Sequence, residues 1–303
     1  GKLTGLSGEK YQAFKEFVNQ YLSFLPFSEK ASFLFIEEHS YSWLLSVHKN
    51  RKADQLLSTY LLEKLNDEYK EYTFYLPLTP LGIQSPFIIG DASIEFLTSD
   101  FIQKEEEKFL LSGKPIENLR TPLKDFTDTI LVSVKSVGVF ERAKDDAFAK
   151  AEMAVNVLHC FLFEHSIWNQ YKIPDLEHRG TKAAFAHTMY NYDSQSSALG
   201  FQLSNPKGPA VIELKDAVLE KFRKDKIDEF SFFLSNHAHS EYSHAVLSSI
   251  ARFSRIVTTT DWYEKTVKLI SLFEAVLINS AEKGGKGQNE YKKLIRKLLS
   301  DDQ

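Results

Sequence analysis

The chain has 303 residues, a formal net charge of -4 at pH 7 and a hydrophobic content of 43%. These values exclude wholesale disorder, which requires few apolar residues and a high net charge. They also exclude a surface that is basic throughout, as wrapping in nucleic acid would require. The single cysteine, Cys160, excludes disulfide bonds within the chain and fits a reducing compartment. No apolar run reaches the ~18 residues of a membrane span. We therefore expect a cytoplasmic protein with no membrane partner.

The N-terminal part of the chain predicts helices. Apolar residues recur at three- and four-residue steps over residues 9–25, which is typical of an amphipathic helix. The apolar runs at 33–36 and 41–47 are too short for their periodicity to distinguish helix from strand. Asn50 is a residue type that caps helices, and the apolar residues that follow it predict a helix beginning there.

From Glu71 onward the pattern changes to strands. Segments 72–78, 87–97 and 129–140 are rich in β-branched and aromatic residues, and Gly90-Asp91 predicts a turn inside the second of them. The third segment leads into a long apolar helix at about 145–163. Asp145 or Asp146 is the expected N-cap of this helix, since aspartate accepts hydrogen bonds from the first backbone N–H groups.

Two further strands are predicted at 187–193 and 198–203, and 210–214 is either a short strand or the lead-in to a helix that starts near Asp216. Everything after that residue has helical periodicity. The sequence therefore predicts an α+β fold. We expect a mixed α/β domain with a largely antiparallel sheet at residues 1–210, followed by an all-α domain at residues 211–303.

Two helical patterns joined by a polar turn fill residues 242–279. The first has apolar residues at three- and four-residue steps from Val246 to Val257. Residues 258–261, Thr-Thr-Thr-Asp, are predicted to end it and to cap the next helix. The second pattern, 267–277, is apolar on more than one side, which predicts a helix buried in a bundle.

This segment resembles the Apea-like branch of the HEPN superfamily. In that branch a helix rich in Ala, Leu, Arg and Phe meets an acid-containing turn. A long helix with an apolar-Glu-Ala-apolar signature follows, matched here by Leu272, Phe273, Glu274, Ala275 and Val276. The resemblance implies a helical domain that dimerises and acts in bacterial defence or RNA metabolism, with RNA as a partner. The N-terminal domain would then sense a trigger.

HEPN proteins that cleave RNA carry an Arg followed, after four to six residues, by a His. No arginine in this sequence has a histidine at that spacing; the nearest case, Arg179 and His187, has seven intervening residues and lies upstream of the matching segment. The motif would fall after Leu299. A ribonuclease reading therefore expects the native chain to continue past Gln303. No catalytic residue is assigned, and no sequence motif calls for a cofactor.

Two groups of cations are candidate nucleic-acid contacts. Arg252 and Arg255 lie on the polar side of the first HEPN-like helix, where salt-bridge roles are an equal alternative. The second group lies on a terminal amphipathic pattern, and an ordinary solvated surface is its alternative reading. Its basic face carries Lys292, Lys293, Arg296 and Lys297, and its apolar face carries Tyr291, Leu294, Ile295, Leu298 and Leu299.

A third group, His237, Glu241 and His244, would share one face of a helix and is a candidate site for a divalent metal ion. The set lacks a fourth ligand, and the alternative is a polar linker. The glycine-rich stretch 282–287 lacks both the preceding strand and the Gly-Lys-Ser/Thr ending of a phosphate loop. We interpret it as a flexible loop between helices.

The tryptophans Trp43, Trp168 and Trp262 are isolated from one another in the sequence, so we expect each of them to pack in a core or at its edge. They do not form the run of aromatic residues that would suggest a base-stacking platform. The main functional hypothesis is thus an HEPN-like sensor or effector without a catalytic motif in these residues. The alternative is a non-catalytic protein- or RNA-binding module that assembles through its helical domain.

Overall fold

The structure, a computed structural model, confirms the predicted α+β fold, with helices at both ends of the chain and a largely antiparallel sheet between them. It describes residues 7–24, 26–50, 54–79, 81–96, 98–100, 103, 106–107, 130–165, 167, 173–176, 188–192, 198–202, 212–236, 241–259 and 261–278.

The chain opens with helices that enclose a core of their own. The apolar runs at 33–36 and 41–47 turn out to belong to one helix, and the helix expected at 9–25 is confirmed. Phe14, Val18 and Ile36 are among the residues buried in this small core. The bounds of these helices are α1 (Glu9–Leu22), α2 (Phe27–Lys30), α3 (Phe33–Asn50) and α4 (Leu57–Glu68).

The predicted cap at Asn50 is wrong. Asn50 is the last residue of α3, and α4 begins only at Leu57. No side-chain hydrogen bond caps the start of α4. The three leucines of α4 that are buried, Leu57, Leu61 and Leu65, recur every four residues, so the burial of one apolar face accounts for the position of this helix.

The sheet has the spatial order β3-β4-β5-β1-β7-β8, with β6 also paired to β1, and the described pairings within it are antiparallel. Two short strands, β2 and β9, pair in parallel outside it. The predicted strands are confirmed, including the hairpin about Gly90-Asp91. Their bounds are β1 (Lys70–Thr79), β2 (Leu81–Ile83), β3 (Phe87–Ile89), β4 (Ala92–Phe96), β5 (Ile130–Gly138), β6 (Asp175–Leu176), β7 (Thr188–Tyr192), β8 (Ala198–Gln202) and β9 (Ile212–Leu214).

The long helix α5 (Phe140–Glu164) lies on the sheet, and it begins five residues before the predicted cap at Asp145. Asp146 is instead inside the helix, where its carboxylate accepts a hydrogen bond from Ser136 at 2.7 Å. Gly138 lies just before the helix, and a Cβ there would lie 3.3 Å from the backbone nitrogen of Ala143, which is a tight contact. No side-chain hydrogen bond caps the start of α5, where Val139 is the N-cap residue.

A row of fully buried alanines lets α5 lie close to the sheet, since a methyl group takes up little space between the two backbones. The row consists of Ala143, Ala147, Ala151 and Ala154. The same core also takes in Phe222 and Ile250 from the C-terminal helices. The predicted domain boundary at 210/211 lies in 203–211, outside the described residues.

The helix predicted near Asp216 and the pair joined by a polar turn are confirmed. Asp261 caps the last helix as expected, because its Oδ1 accepts a hydrogen bond from the backbone N–H of Glu264 at 2.7 Å. In the described part of the C-terminal region the helices are α6 (Asp216–Lys224), α7 (Ile227–Asn236), α8 (Glu241–Thr258) and α9 (Trp262–Ile278).

Among the described side chains of α9, Val267 and Ile270 are 47% and 45% exposed, so the prediction of burial in a bundle is wrong for these two residues. Leu272 is buried, whereas the opposite side exposes an apolar row. We call this row the α9 stripe; it consists of Trp262, Tyr263, Val267 and Ile270. The expectation that Trp262 lies in a core or at its edge is also wrong, because 77% of this residue is exposed.

The turn between β3 and β4 is held by α7. Gly90 has a φ of 61°, and its backbone N–H donates a hydrogen bond to Ser231 Oγ at 2.7 Å. A Cβ on Gly90 would lie 2.9 Å from Cβ of Leu234, so glycine meets both a conformational and a steric requirement. Among the described residues, no helix is both long enough and apolar enough to cross a membrane.

Candidate nucleic-acid interface

The polar turn between α8 and α9 is closed by local hydrogen bonds. The hydroxyls of Thr258 and Thr259 both donate to the carbonyl oxygen of Arg255, at 3.2 and 2.6 Å. On the other side of the turn, Asp261 caps α9. These bonds satisfy backbone groups that a helix end leaves without partners. The sequence Thr-Thr-Thr-Asp thus fixes where one helix stops and the next begins.

Helix α8 has a buried and an exposed side. Ser254, Ile256 and Val257 are buried, and Arg252 and Arg255 are exposed. Because the two arginines are three residues apart, they stand one above the other on the same side of the helix. The predicted position of both arginines on the polar side of this helix agrees with the structure.

The two arginines border a cleft between α8 and α9 with a volume of about 230 Å³. Its apolar lining comes from Ile256, Val267 and Leu272, and Lys268 adds a third cation from the facing helix. No aromatic residue of the described part lines this cleft. The arrangement can therefore hold an anionic group at its rim, but it offers no ring on which a base could stack.

The charges at the rim are unequal. Lys268 Nζ lies 2.7 Å from Glu264 Oε1 and 3.0 Å from Thr259 Oγ1, so an acid already neutralises it. Neither Arg252 nor Arg255 forms an ion pair with another described residue. The two guanidinium groups leave the cleft with a net positive charge. A guanidinium pair suits carboxylate or phosphate groups, through charge and through bidentate hydrogen bonds.

A buried hydrogen-bonded histidine connects α8 to α5. His159 is fully buried; its Nδ1 lies 2.7 Å from Ser254 Oγ, and its Nε2 contacts the carbonyl oxygen of Pro174. Since a carbonyl can only accept, Nε2 carries a hydrogen, and in the neutral ring Nδ1 then accepts from the Ser254 hydroxyl. This bridge holds the inner side of α8 in place and thereby directs Arg252 and Arg255 outward.

The other predicted site residues are described only in part. His244 is exposed on α8, Glu241 lies in that helix without a described side chain, and His237 lies outside the described residues. Within the described part, no three His, Cys, Asp or Glu residues form a metal-binding group. The basic residues Lys292, Lys293, Arg296 and Lys297 also lie outside the described residues, so their role stays a prediction.

A larger cavity of about 480 Å³ lies between α5, α7 and α8. Two of the charges at its rim have partners: Lys226 pairs with Glu229 at 3.0 Å, and Asp225 lies 2.7 Å from His165 Nε2. The second pair has the distance of an ion pair but not the angles of a hydrogen bond. Cys160 borders this cavity, and burial raises the pKa of its thiol to about 12, so the thiol is not a nucleophile near neutral pH.

Another cavity, of about 520 Å³, lies between the β3 end of the sheet and helices α6 and α7. Its lining combines exposed apolar residues such as Ile88 and Phe232 with Arg223 and Asp228. Arg223 is paired with Glu220. Among these three cavities, the α8–α9 cleft is thus the one whose rim carries two arginines without ion-pair partners in the described part.

Sequence reasoning missed two parts of this interface. Lys268 gave no signal, because only the rotation of α9 against α8 brings it opposite the arginines. The bridge from His159 to Ser254 joins residues 95 positions apart, and neither one stands in a recognisable motif. No protein-family model, curated protein or solved structure matches this chain.

Proposed function

We propose that the protein is an HEPN-like RNA-binding component of bacterial defence or RNA metabolism, with RNA phosphates bound along the α8–α9 cleft. The observation that carries the proposal is the pair Arg252 and Arg255, exposed on one side of α8 without an ion-pair partner in the described residues. The resemblance of residues 242–279 to the Apea-like branch supports RNA as the anionic ligand. No catalytic step is assigned.

The expected binding is electrostatic and tolerant of sequence. Guanidinium groups contact phosphates, which are the same in every nucleotide, and the described lining offers no aromatic ring for base recognition. Affinity should therefore fall steeply as salt rises, with a slope of about -0.7 in log K against log salt for each phosphate contacted on a single strand.

The test is a titration of fluorescent single-stranded RNA with the protein at several salt concentrations. We expect Arg252→Ala/Arg255→Ala to weaken binding by roughly tenfold per arginine, because each loses a charge-assisted hydrogen bond. The salt slope should fall by about 1.4 for the two lost contacts. Arg142→Ala is the matched control, because Arg142 is an exposed arginine on α5.

Equal affinity and equal salt slope for the double variant and the Arg142 control would remove the cleft from the RNA hypothesis. An absence of RNA binding by the unaltered protein would favour the alternative, a non-catalytic module that binds protein. Dimerisation through the helical domain also stays a prediction, and sedimentation velocity over a range of concentrations tests it directly.

A further inference from the structure

The cavity of about 480 Å³ between α5, α7 and α8 has an apolar interior. Val157 and Ile250 line it and are buried. Phe161 and Phe230 also border it, and their rings lie edge to face with centroids 5.9 Å apart. Sites that bind small molecules commonly have volumes of ~300–1,000 Å³ and a mostly apolar lining. The cavity therefore has the size and the interior of a small-molecule site.

The rim of this cavity carries four charged residues. Asp225 and Lys226 have the partners described above. The other two, Glu164 and Lys224, are exposed, and neither forms an ion pair with the other or with any other residue that the structure describes. We call Glu164 and Lys224 the rim charges. They offer a ligand one carboxylate and one ammonium group.

The rim charges lie near one another because the ends of two helices meet at this cavity. Glu164 is the last residue of α5, and Lys224 is the last residue of α6. The residues that follow them, His165 and Asp225, are in contact, with Nε2 2.7 Å from Oδ2. Since consecutive Cα atoms are about 3.8 Å apart, each rim charge is one short step along the chain from this contact. One small ligand in the cavity can therefore reach both of them.

A ligand that matches this arrangement carries an ammonium group, a carboxylate group and an apolar side chain. Glu164 accepts a hydrogen bond from the ammonium group, and Lys224 donates one to the carboxylate; both bonds are strengthened by charge. A ligand with only one of these groups leaves one rim charge without a partner. An aromatic side chain suits the interior, because a third ring can pack against Phe161 and Phe230 in the geometry that aromatic pairs prefer.

We propose that this cavity binds a free α-amino acid with an aromatic side chain. The ammonium group of the ligand contacts Glu164, its carboxylate contacts Lys224, and its ring lies in the apolar interior beside Phe161 and Phe230. This binding does not require RNA and uses no residue of the α8–α9 cleft. It therefore stands or falls separately from the function proposed above.

A ligand-detected NMR titration of the full chain with three related molecules tests the proposal. Phenylalanine carries both charged groups, 3-phenylpropionate lacks the ammonium group, and phenethylamine lacks the carboxylate. We expect phenylalanine to bind with a dissociation constant of roughly 1 mM or below, and each of the other two to bind at least about tenfold more weakly. Saturation transfer should be strongest to the ring protons, because the ring is the part of the ligand that enters the cavity.

Variants of the rim charges locate the bound ligand. Glu164→Gln should weaken the binding of phenylalanine roughly tenfold and should not weaken that of 3-phenylpropionate, which has no ammonium group. Lys224→Gln should weaken the binding of phenylalanine to the same degree and should not weaken that of phenethylamine, which has no carboxylate. The matched controls are Glu213→Gln and Lys215→Gln, because both residues are exposed and neither borders the cavity. Both controls should bind phenylalanine as the unaltered protein does.

Three results would overturn the proposal. The first is an absence of phenylalanine binding up to about 10 mM, and the second is equal affinity for the three ligands. The third is a loss in Glu164→Gln that is as large for 3-phenylpropionate as for phenylalanine, since this carboxylate would then act on the fold of the cavity and not on the ammonium group. Chemical denaturation of the variants in parallel shows that a loss of binding does not come from unfolding.

Discussion

Helices α5 and α9 are both rich in apolar residues, yet they differ in what covers them. In α5 every residue from Ala154 to His159 is buried, because the helix lies between the sheet and α8. Helix α9 contacts α8 on one side and exposes the α9 stripe on the other. The comparison shows that apolar composition alone does not determine whether a helix is buried. The elements that pack against a helix determine how much of its apolar surface is buried.

Breaking the buried bridge of α5 is expected to have the largest effect. His159→Leu removes both ring nitrogens, which leaves the carbonyl of Pro174 and the hydroxyl of Ser254 without these bonds in a buried site. Each unsatisfied group costs about 1–3 kcal/mol, so we expect the free energy of unfolding to fall by roughly 3 kcal/mol. Chemical denaturation measures this change.

His159→Gln is the control, since its amide offers both a donor and an acceptor and should recover part of the loss. Ser254→Ala removes only one of the two bonds and should cost about 1 kcal/mol. If His159→Leu were as stable as the unaltered protein, the bridge would not be what holds α8 against α5.

Adding volume at a buried position of α5 is expected to have the next largest effect on stability. Ala151 is fully buried against the sheet, so Ala151→Leu must displace neighbours that are already in contact. Overpacking of this kind costs about 1–3 kcal/mol. The matched control is Ala245→Leu, because Ala245 is exposed on α8 and a surface change there should stay within about 0.5 kcal/mol. Similar melting temperatures for the two variants would contradict the close approach of α5 to the sheet.

The alkylation rates of two cysteines compare the burial of α5 and α9, and this comparison alters the protein least. Ser271→Cys adds an exposed thiol to α9, whereas the native Cys160 lies in α5 with its pKa raised to about 12 by burial. At pH 8 we expect iodoacetamide to alkylate the new cysteine on the order of a thousandfold faster, because the thiolate is the reactive form. Peptide mass mapping over time gives both rates in one sample. Comparable rates would show that α5 opens readily.

The same raised pKa gives a direction for stability at high pH. The folded protein keeps the Cys160 proton to a higher pH than the unfolded chain, so this stabilisation is complete below about pH 8.5. It is lost as pH rises from there toward about 12. Cys160→Ala removes this contribution, and its unfolding free energy should therefore decline less over that range than that of the unaltered protein.

Much of the fold could be predicted because its signals are local. Alternation of apolar residues predicted the strands, and Thr-Thr-Thr-Asp predicted both helix ends around Asp261. The start of α5 could not be predicted, because the helix follows Val139 with no capping side chain to mark it. The prediction at Asn50 was wrong because a residue type that caps helices stands there as the last residue of α3.

Only part of the candidate site could be predicted from the sequence. Helical spacing placed Arg252 and Arg255 together on the polar side of α8, since positions along a single helix follow from its geometry. Lys268 was missed because its position opposite them depends on how α9 is rotated against α8, which no spacing in the sequence encodes.

The hydrogen bond from the backbone N–H of Gly90 to Ser231 Oγ also has a consequence for the synthesis of the protein. The two residues are 141 positions apart, so a ribosome that adds ~5–20 residues per second reaches Ser231 roughly 7–28 seconds after Gly90. Until then the turn after β3, a strand at the edge of the sheet, has no contact with α7. Its apolar residues Phe87 and Ile89 are buried only in the finished fold. The nascent chain therefore passes through a period in which this edge is open to chaperones or to other chains.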